Sequence, residues 1–293
     1  METIIISILI IGLVSSGIYA IMAIGFSLIF GVGRILNMAH TAFYMLTAYL
    51  IYIATTMLGL PIVLSVALAI IVSSIFGVAF YKLFFDRVKE RETAVIIISV
   101  SLAILIQEIF LIAFTGQSRR IPSLISGYTE IATVRITYQQ LFGIGMSGAT
   151  IASVMILLSK TRLGNVIRSV AQDREIANLM GIDVSRICMM TMGISVALAG
   201  IAAAIAAPIF MISPLMWEHP LVIVLAAVIL GGMGSLKGSV IGAFILGFAE
   251  TLVVFLIPAG TFLQGSISLC TMILIMLIRP EGLFGIFFEE ERL

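Results

Sequence analysis

Few residues in this chain can do chemistry, and they stand apart from one another. The two histidines, His40 and His219, are distant in sequence, and no catalytic triad or metal-ligand cluster forms around either. The chain is therefore assigned no catalytic residue, no metal and no cofactor. Cys188 and Cys270 sit at or inside apolar stretches and read as small core residues rather than a disulfide. The string GGMGSLKGS near residue 235 looks like a phosphate-binding loop. It fails because Leu236 precedes Lys237 and Gly238 follows it, where the motif needs Gly before the Lys and Ser or Thr after.

What remains is the chemistry of polar groups in an apolar medium. Glu108 and Glu250 are isolated acids inside long apolar runs. A charge at the bilayer centre costs about 2.5–3.5 kcal/mol, so each is expected to face the bundle or a cavity. Helix–helix hydrogen bonding and a place on a translocation path are both open for each, and Glu108 could also lie near an interface. Arg34, Asn37 and His40 recur at i, i+3 and i+6. In a helix that spacing puts Arg34 and Asn37 on one face, with His40 less than a turn further round. They read either as a polar lining of the path or as a helix end, with Arg34 snorkelling to headgroups. His40 reads as a satisfied buried hydrogen-bonding group rather than a metal ligand.

The elements that would position these groups follow from composition. The chain has 293 residues, is 61% hydrophobic and only 11% charged, with mean hydropathy +1.24. A soluble domain could not cover its surface with polar groups at that balance. The expectation is one all-α, polytopic transmembrane bundle, a single domain over residues 1–293, in contact with membrane lipid. The net charge of +1 implies no nucleic-acid partner. The N-terminus lacks the basic region of a signal peptide and reads as a retained first helix.

About 20 apolar residues cross the hydrocarbon. Spans are expected over 4–33, 35–56, 61–81, 93–114, 139–159, 187–211, 238–257 and 261–278, with 221–230 a full span or a re-entrant piece. That gives eight or nine membrane segments. The loops at 82–92 and 160–187 are rich in Lys and Arg, which places both on the cytoplasmic side and the polar connection 115–138 outside. The same count puts the N-terminus outside. Ile29, Gly31, Leu36 and Leu46 recur as Ile229, Gly231, Leu236 and Leu246, a faint internal echo of the kind transporters carry. The tail from Arg279 onward reads as short and amphipathic.

The segment 160–187 is polar yet has helical periodicity. Val166, Ile167 and Val170 fall on one face, then Ile176, Leu179 and Met180 at i, i+3, i+4. An amphipathic helical loop between spans reads as a docking surface for a soluble partner.

Several stretches together resemble the H-type membrane permease subunit of the branched-chain amino-acid ABC importers. They are GIYAIMAIGFSLIFGVGRILNMAHTAFYMLTAY, REIANLMGIDVSRICMMTMGISVALAGIAAAIAAP, AAVILGGMGSLKGSVIGAFILGFAE and RPEGLFG, in the family's order. Glu175, Ala177 and Gly181 match the E-A-A-x-x-x-G signature of importer permeases, with Ile176 in place of the middle Ala. The resemblance implies that Arg174, Glu175, Ala177, Gly181, Ile182 and Asp183 form a helix that docks on an ATPase. Small Ala177 and Gly181 would admit a partner backbone, with Arg174 and Asp183 as charges at the edges. It implies a second, non-identical permease, two cytoplasmic ABC ATPases and an extracytoplasmic binding protein. The setting would be a bacterial or archaeal plasma membrane, and the cargo branched-chain amino acids or a similar small solute. The family often has an acid two positions after the histidine of its Asn-x-Ala-His string, where this chain has Ala42. The alternative is an ion-coupled transporter or channel using Glu108 or Glu250.

Overall fold

A computed structural model describes residues 2–131, 134–258, 260–279 and 282–284. Among the described residues, six helices are long and apolar enough to cross a membrane. They are α1 (Glu2–Gly33), α3 (Ile62–Phe80), α4 (Glu92–Phe114), α5 (Tyr138–Lys160), α8 (Val184–Ala206) and α10 (Leu236–Leu256). Shorter apolar helices are α2 (His40–Tyr52), α9 (Glu218–Gly231) and α11 (Ser266–Ile278). Two further helices, α6 (Arg162–Gln172) and α7 (Arg174–Leu179), make up most of the polar segment. The expected tail is only partly described: Pro280, Glu281 and residues 285–293 lie outside the described residues.

Helix boundaries follow capping chemistry. Thr137 and Gln140 form a capping box at the start of α5, and Thr161, Asp173, Asp183 and Ser235 cap α6, α7, α8 and α10 with their side chains. The helical class holds with one addition. The connection after α4 carries an antiparallel hairpin, β1 (Tyr128–Ile131) and β2 (Val134–Thr137), with Glu130 opposite Arg135. Arg135 Nε bonds Glu130 Oε1 at 2.9 Å.

Contacts fix which loops share an end of the bundle. Ser185 Oγ donates to Asp86 Oδ1 at 2.9 Å, bringing the 82–92 loop to the start of α8. At the other end Arg119 and Ile212 exchange two backbone hydrogen bonds of 2.9 Å, joining the 115–137 connection to the chain after α8. The two basic loops therefore meet at one end, called here the coupling end.

Helix α1 is the hub, packed against α10, α8, α5 and α9. Between α1 and α2 the sequence reading needs correction. The second helix starts at His40 rather than near residue 35, because Arg34 adopts a left-handed φ of 46° and ends α1. Residues 34–39 continue without helix. Buried non-helical backbone at that depth needs partners. Met38 N donates to Ser99 Oγ at 3.1 Å and Ala39 N to Asn37 Oδ1 at 3.1 Å.

The short helices begin inside the bundle. Trp217, just before α9, donates its Nε1–H to Gln107 Oε1 of α4 at 2.7 Å, about two turns short of the end of α4. The start of α11 hangs on Glu250 of α10, whose Oε1 accepts from Gly265 N (2.8 Å) and Ser268 Oγ (2.9 Å). The string GGMGS is the α9–α10 turn, and its first glycine lets the two helices pack closely: a β-carbon on Gly231 would collide with the Gly238 carbonyl.

Candidate functional site

At the coupling end the polar segment folds into two helices with opposite duties. In α6, Gly164, Ile167 and Val170 are buried and hold the helix against the bundle. In α7, only Ala177 is buried. Ile176, Leu179 and Met180 are 59%, 86% and 78% exposed. Ile176 and Leu179 on this small helix and Met180 just after it face away from the protein and make an apolar surface at an otherwise polar end.

Each residue expected to dock has a defined place here. Ala177 faces the bundle, so it does not admit a partner backbone. Gly181 has φ +83° and open space around its α-carbon. Its role is the left-handed position after α7: Ile182 N bonds Ala177 O and Gly181 N bonds Asn178 O, both at 3.0 Å. This is a Schellman closure, in which glycine avoids the penalty of a β-carbon at positive φ. Ile182, partly buried, packs on the core beside Ala177. Asp183 caps α8 by accepting from Arg186 N at 3.1 Å, and its Oδ2 pairs with Arg186 Nε at 2.8 Å. Glu175 is exposed in the first turn of α7, on a shallow groove shared with Lys89 and Asn178. Arg174 turns inward, and its Nε and Nη2 both donate to Val32 O at the end of α1, at 3.0 and 2.8 Å.

The Arg34–Asn37–His40 set does not share a helical face, since the chain is not helical there. Arg34 is exposed at the coupling end, as expected of a helix-end residue. Asn37 is fully buried, with Nδ2 3.7 Å from Met192 Sδ. His40 is also fully buried. Its Nε2 lies 3.0 Å from Met22 O and its Nδ1 3.2 Å from Ser195 Oγ, which in turn donates to Gly25 O at 2.8 Å. This knot ties α1, α2 and α8 together, with the imidazole against Gly25.

The two acids part company. Glu108 is exposed on α4, so the expectation that it faces the bundle or a cavity fails. Gln107 Nε2 bonds its Oε1 at 3.3 Å. Glu250 has a side chain only 5% exposed and stands on the wall of a cavity of about 310 Å³, together with Tyr19, Tyr44 and His219. The cavity lies in the half of the bundle away from the coupling end. His219 sequence reasoning left unassigned, because only the fold brings residues 219 and 250 together. The exposed trio of α7 was legible as a periodic face, but which face of that helix is outward was not.

Comparison with known proteins follows the same outline. The family model for the permease component of the branched-chain amino acid transport system matches residues 8–277. The high-affinity branched-chain amino acid transport system permease protein BraD of Pseudomonas aeruginosa is 28% identical over 289 residues, covering 94% of each chain. Its counterpart LivH of Escherichia coli is 26% identical, covering 94% of this chain and 93% of that one. A probable LivH of Methanocaldococcus jannaschii is 27% identical over 94% of this chain and 90% of its own. A chain in the solved structure of PsaBC from Streptococcus pneumoniae in complex with Fab shares the fold. The TM-score is 0.50 at 15% identity, with 92% of this chain and 90% of that chain covered.

Proposed function

We infer the role of this chain from its family: it belongs to the permease components of branched-chain amino acid transport systems. It is a multi-pass membrane subunit of an ABC importer and a transport component rather than an enzyme. Such importers work with ATPase and binding-protein partners.

The finer reading is ours. The whole chain, residues 1–293, serves as one transmembrane domain in a bacterial or archaeal plasma membrane. It pairs with a second, non-identical permease. A cytoplasmic ATPase docks on the 160–187 segment of each permease, and a binding protein delivers branched-chain amino acids or a similar small solute at the opposite end. One observation carries the docking site: Ile176, Leu179 and Met180 form an exposed apolar patch on α7, and α7 is held to the end of α1 through Arg174. A patch that is both sticky and rigidly held can pass a push into the bundle. The cycle is alternating access, in which nucleotide and binding protein each prefer different states of the permease. Without that preference neither could bias the equilibrium.

The test is reconstitution of the four-subunit assembly in liposomes with the binding protein. Radiolabelled L-leucine uptake should require ATP and disappear with Leu179→Asp, with the ATPases lost from the purified mutant. Buried apolar anchors carry 2 kcal/mol or more of an interface, roughly a thirtyfold loss of affinity. Wild-type uptake in Leu179→Asp would overturn the docking site.

A further inference from the structure

The cavity beside Glu250 has no part in docking, yet its lining has the character of a ligand site. Its rim includes exposed Phe210 and Gln264, and its floor includes the buried residues Ile18, Tyr44 and Glu250. Its volume of about 310 Å³ falls within the roughly 300–1,000 Å³ of small-molecule sites. Its lining sets apolar side chains beside polar ones such as Tyr19, Tyr44, His219 and Thr251, and one lining residue, Glu250, is an acid.

The acid is unusual in how it is paired. Glu250 Oε1 accepts from two neutral donors, Gly265 N and Ser268 Oγ. These bonds fix the side chain, but they bring no positive charge. The nearest group that can carry one is His219, whose Nε2 lies 3.6 Å from Oε2, beyond hydrogen-bond reach. That Nε2 is itself buried and lacks a hydrogen-bond partner among the described residues. Among the described residues Glu250 Oε2 accepts no hydrogen bond, and it is the atom left to bond a solute. A carboxylate in this apolar setting gains most from a cation that can donate hydrogen bonds.

The route toward the coupling end is shut directly beneath. A β-carbon on Gly247, in the cavity lining, would sit 2.5 Å from Ser16 Oγ, and below that lies the His40–Ser195–Gly25 knot. The cavity is therefore a cup closed toward the coupling end.

We propose that this cup is a solute-binding site within the permease, in which Glu250 Oε2 receives the ammonium group of an amino acid and the apolar walls receive its side chain. The proposal rests on the reading of the chain as an amino-acid permease and names the site that reading lacks. Residues that set the bound end of the solute would then lie in the permease as well as in its binding protein.

The test uses the full assembly in nanodiscs, without binding protein, titrated with radiolabelled L-leucine. Isoamylamine, which keeps the ammonium, should compete. 4-Methylpentanoate, which keeps the carboxylate and lacks the amine, should not. Glu250→Gln keeps an acceptor for Gly265 and Ser268 and removes the charge, so it should weaken leucine binding at least tenfold with the melting temperature unchanged. The proposal is overturned if wild-type assembly binds no leucine, if the acid competes as well as the amine, or if Glu250→Gln binds within twofold of wild type. Should Glu250→Gln fail to assemble, the two competitors on wild type still decide. ATP-driven uptake with the binding protein separates the two readings. Leucine uptake by wild type alongside any overturning result removes the cup alone, whereas no uptake removes the amino-acid reading itself.

Discussion

The guanidinium of Arg174 holds the Val32 carbonyl with two hydrogen bonds, one from Nε at 3.0 Å and one from Nη2 at 2.8 Å. Val32 lies in the last turn of α1, where carbonyls have no helical partner and the helix end carries partial negative charge. A cation there satisfies both needs. The same residue opens α7, so the exposed patch and the central helix of the bundle are joined through one side chain.

Arg174→Ala should therefore uncouple the importer rather than dismantle it. The patch of Ile176, Leu179 and Met180 is intact in this variant, so the ATPases still bind. Its link to α1 is gone, with a loss of about 1.5–3 kcal/mol for hydrogen bonds to a charged group. The expected result is ATP hydrolysis within twofold of wild type with leucine uptake reduced at least tenfold. The ratio of solute imported to ATP hydrolysed in proteoliposomes checks it. Loss of ATPase co-purification in this variant would instead make Arg174 part of the docking surface.

Gly181 separates backbone conformation from small size. If its φ of +83° is what matters, Gly181→Asn should be mild, since Asn tolerates the left-handed region. Gly181→Val should cost about 1–2 kcal/mol or more and loosen the end of α7. If small size is what matters, both should fail alike. Uptake by the two variants, compared at equal protein in the membrane, distinguishes the cases.

Much of this is legible in the amino-acid sequence. Hydropathy gave the bundle, lysine and arginine bias grouped the two basic loops, and Asp86–Ser185 joins them in the fold. Periodicity alone picked out Ile176, Leu179 and Met180. Three things were not legible. A helical wheel drawn through Arg34, Asn37 and His40 assumed a helix that Arg34 ends with a positive φ. Burial of Ala177 and the inward turn of Arg174 depend on which way α7 lies against α1, a tertiary fact with no periodic signal. The approach of His219 to Glu250 links α10 with the start of α9, and nothing local to either residue announces it.

The buried knot predicts a stability defect without a specificity change. His40→Leu removes the imidazole's hydrogen bonds to Ser195 Oγ and Met22 O, each worth about 0.5–1.5 kcal/mol. The variant should melt at a lower temperature in detergent. Relative uptake of leucine, isoleucine and valine should stay at wild-type ratios, since His40 is fully buried and is not on the cavity wall. A changed ratio, measured by competition in proteoliposomes, would put His40 on the path.

Adjacent residues of α4 should respond in opposite ways. Gln107 Oε1 accepts from Trp217 Nε1 at 2.7 Å and fixes the start of α9. Glu108 is exposed on the outside of α4. Gln107→Leu leaves the indole N–H without its acceptor, a cost of about 1–3 kcal/mol. It should lower the melting temperature and shift the emission of Trp217, the only tryptophan of the chain. Glu108→Leu removes an acid from a helix face that otherwise meets lipid. Acids in that setting cost about 2.5–3.5 kcal/mol, so the variant should melt no lower than wild type and import leucine within twofold of it. Both are read in the full assembly, where the second permease is present. A drop in melting temperature for Glu108→Leu as large as that for Gln107→Leu would show that this face of α4 is covered by that partner and that the carboxylate is bonded across the interface.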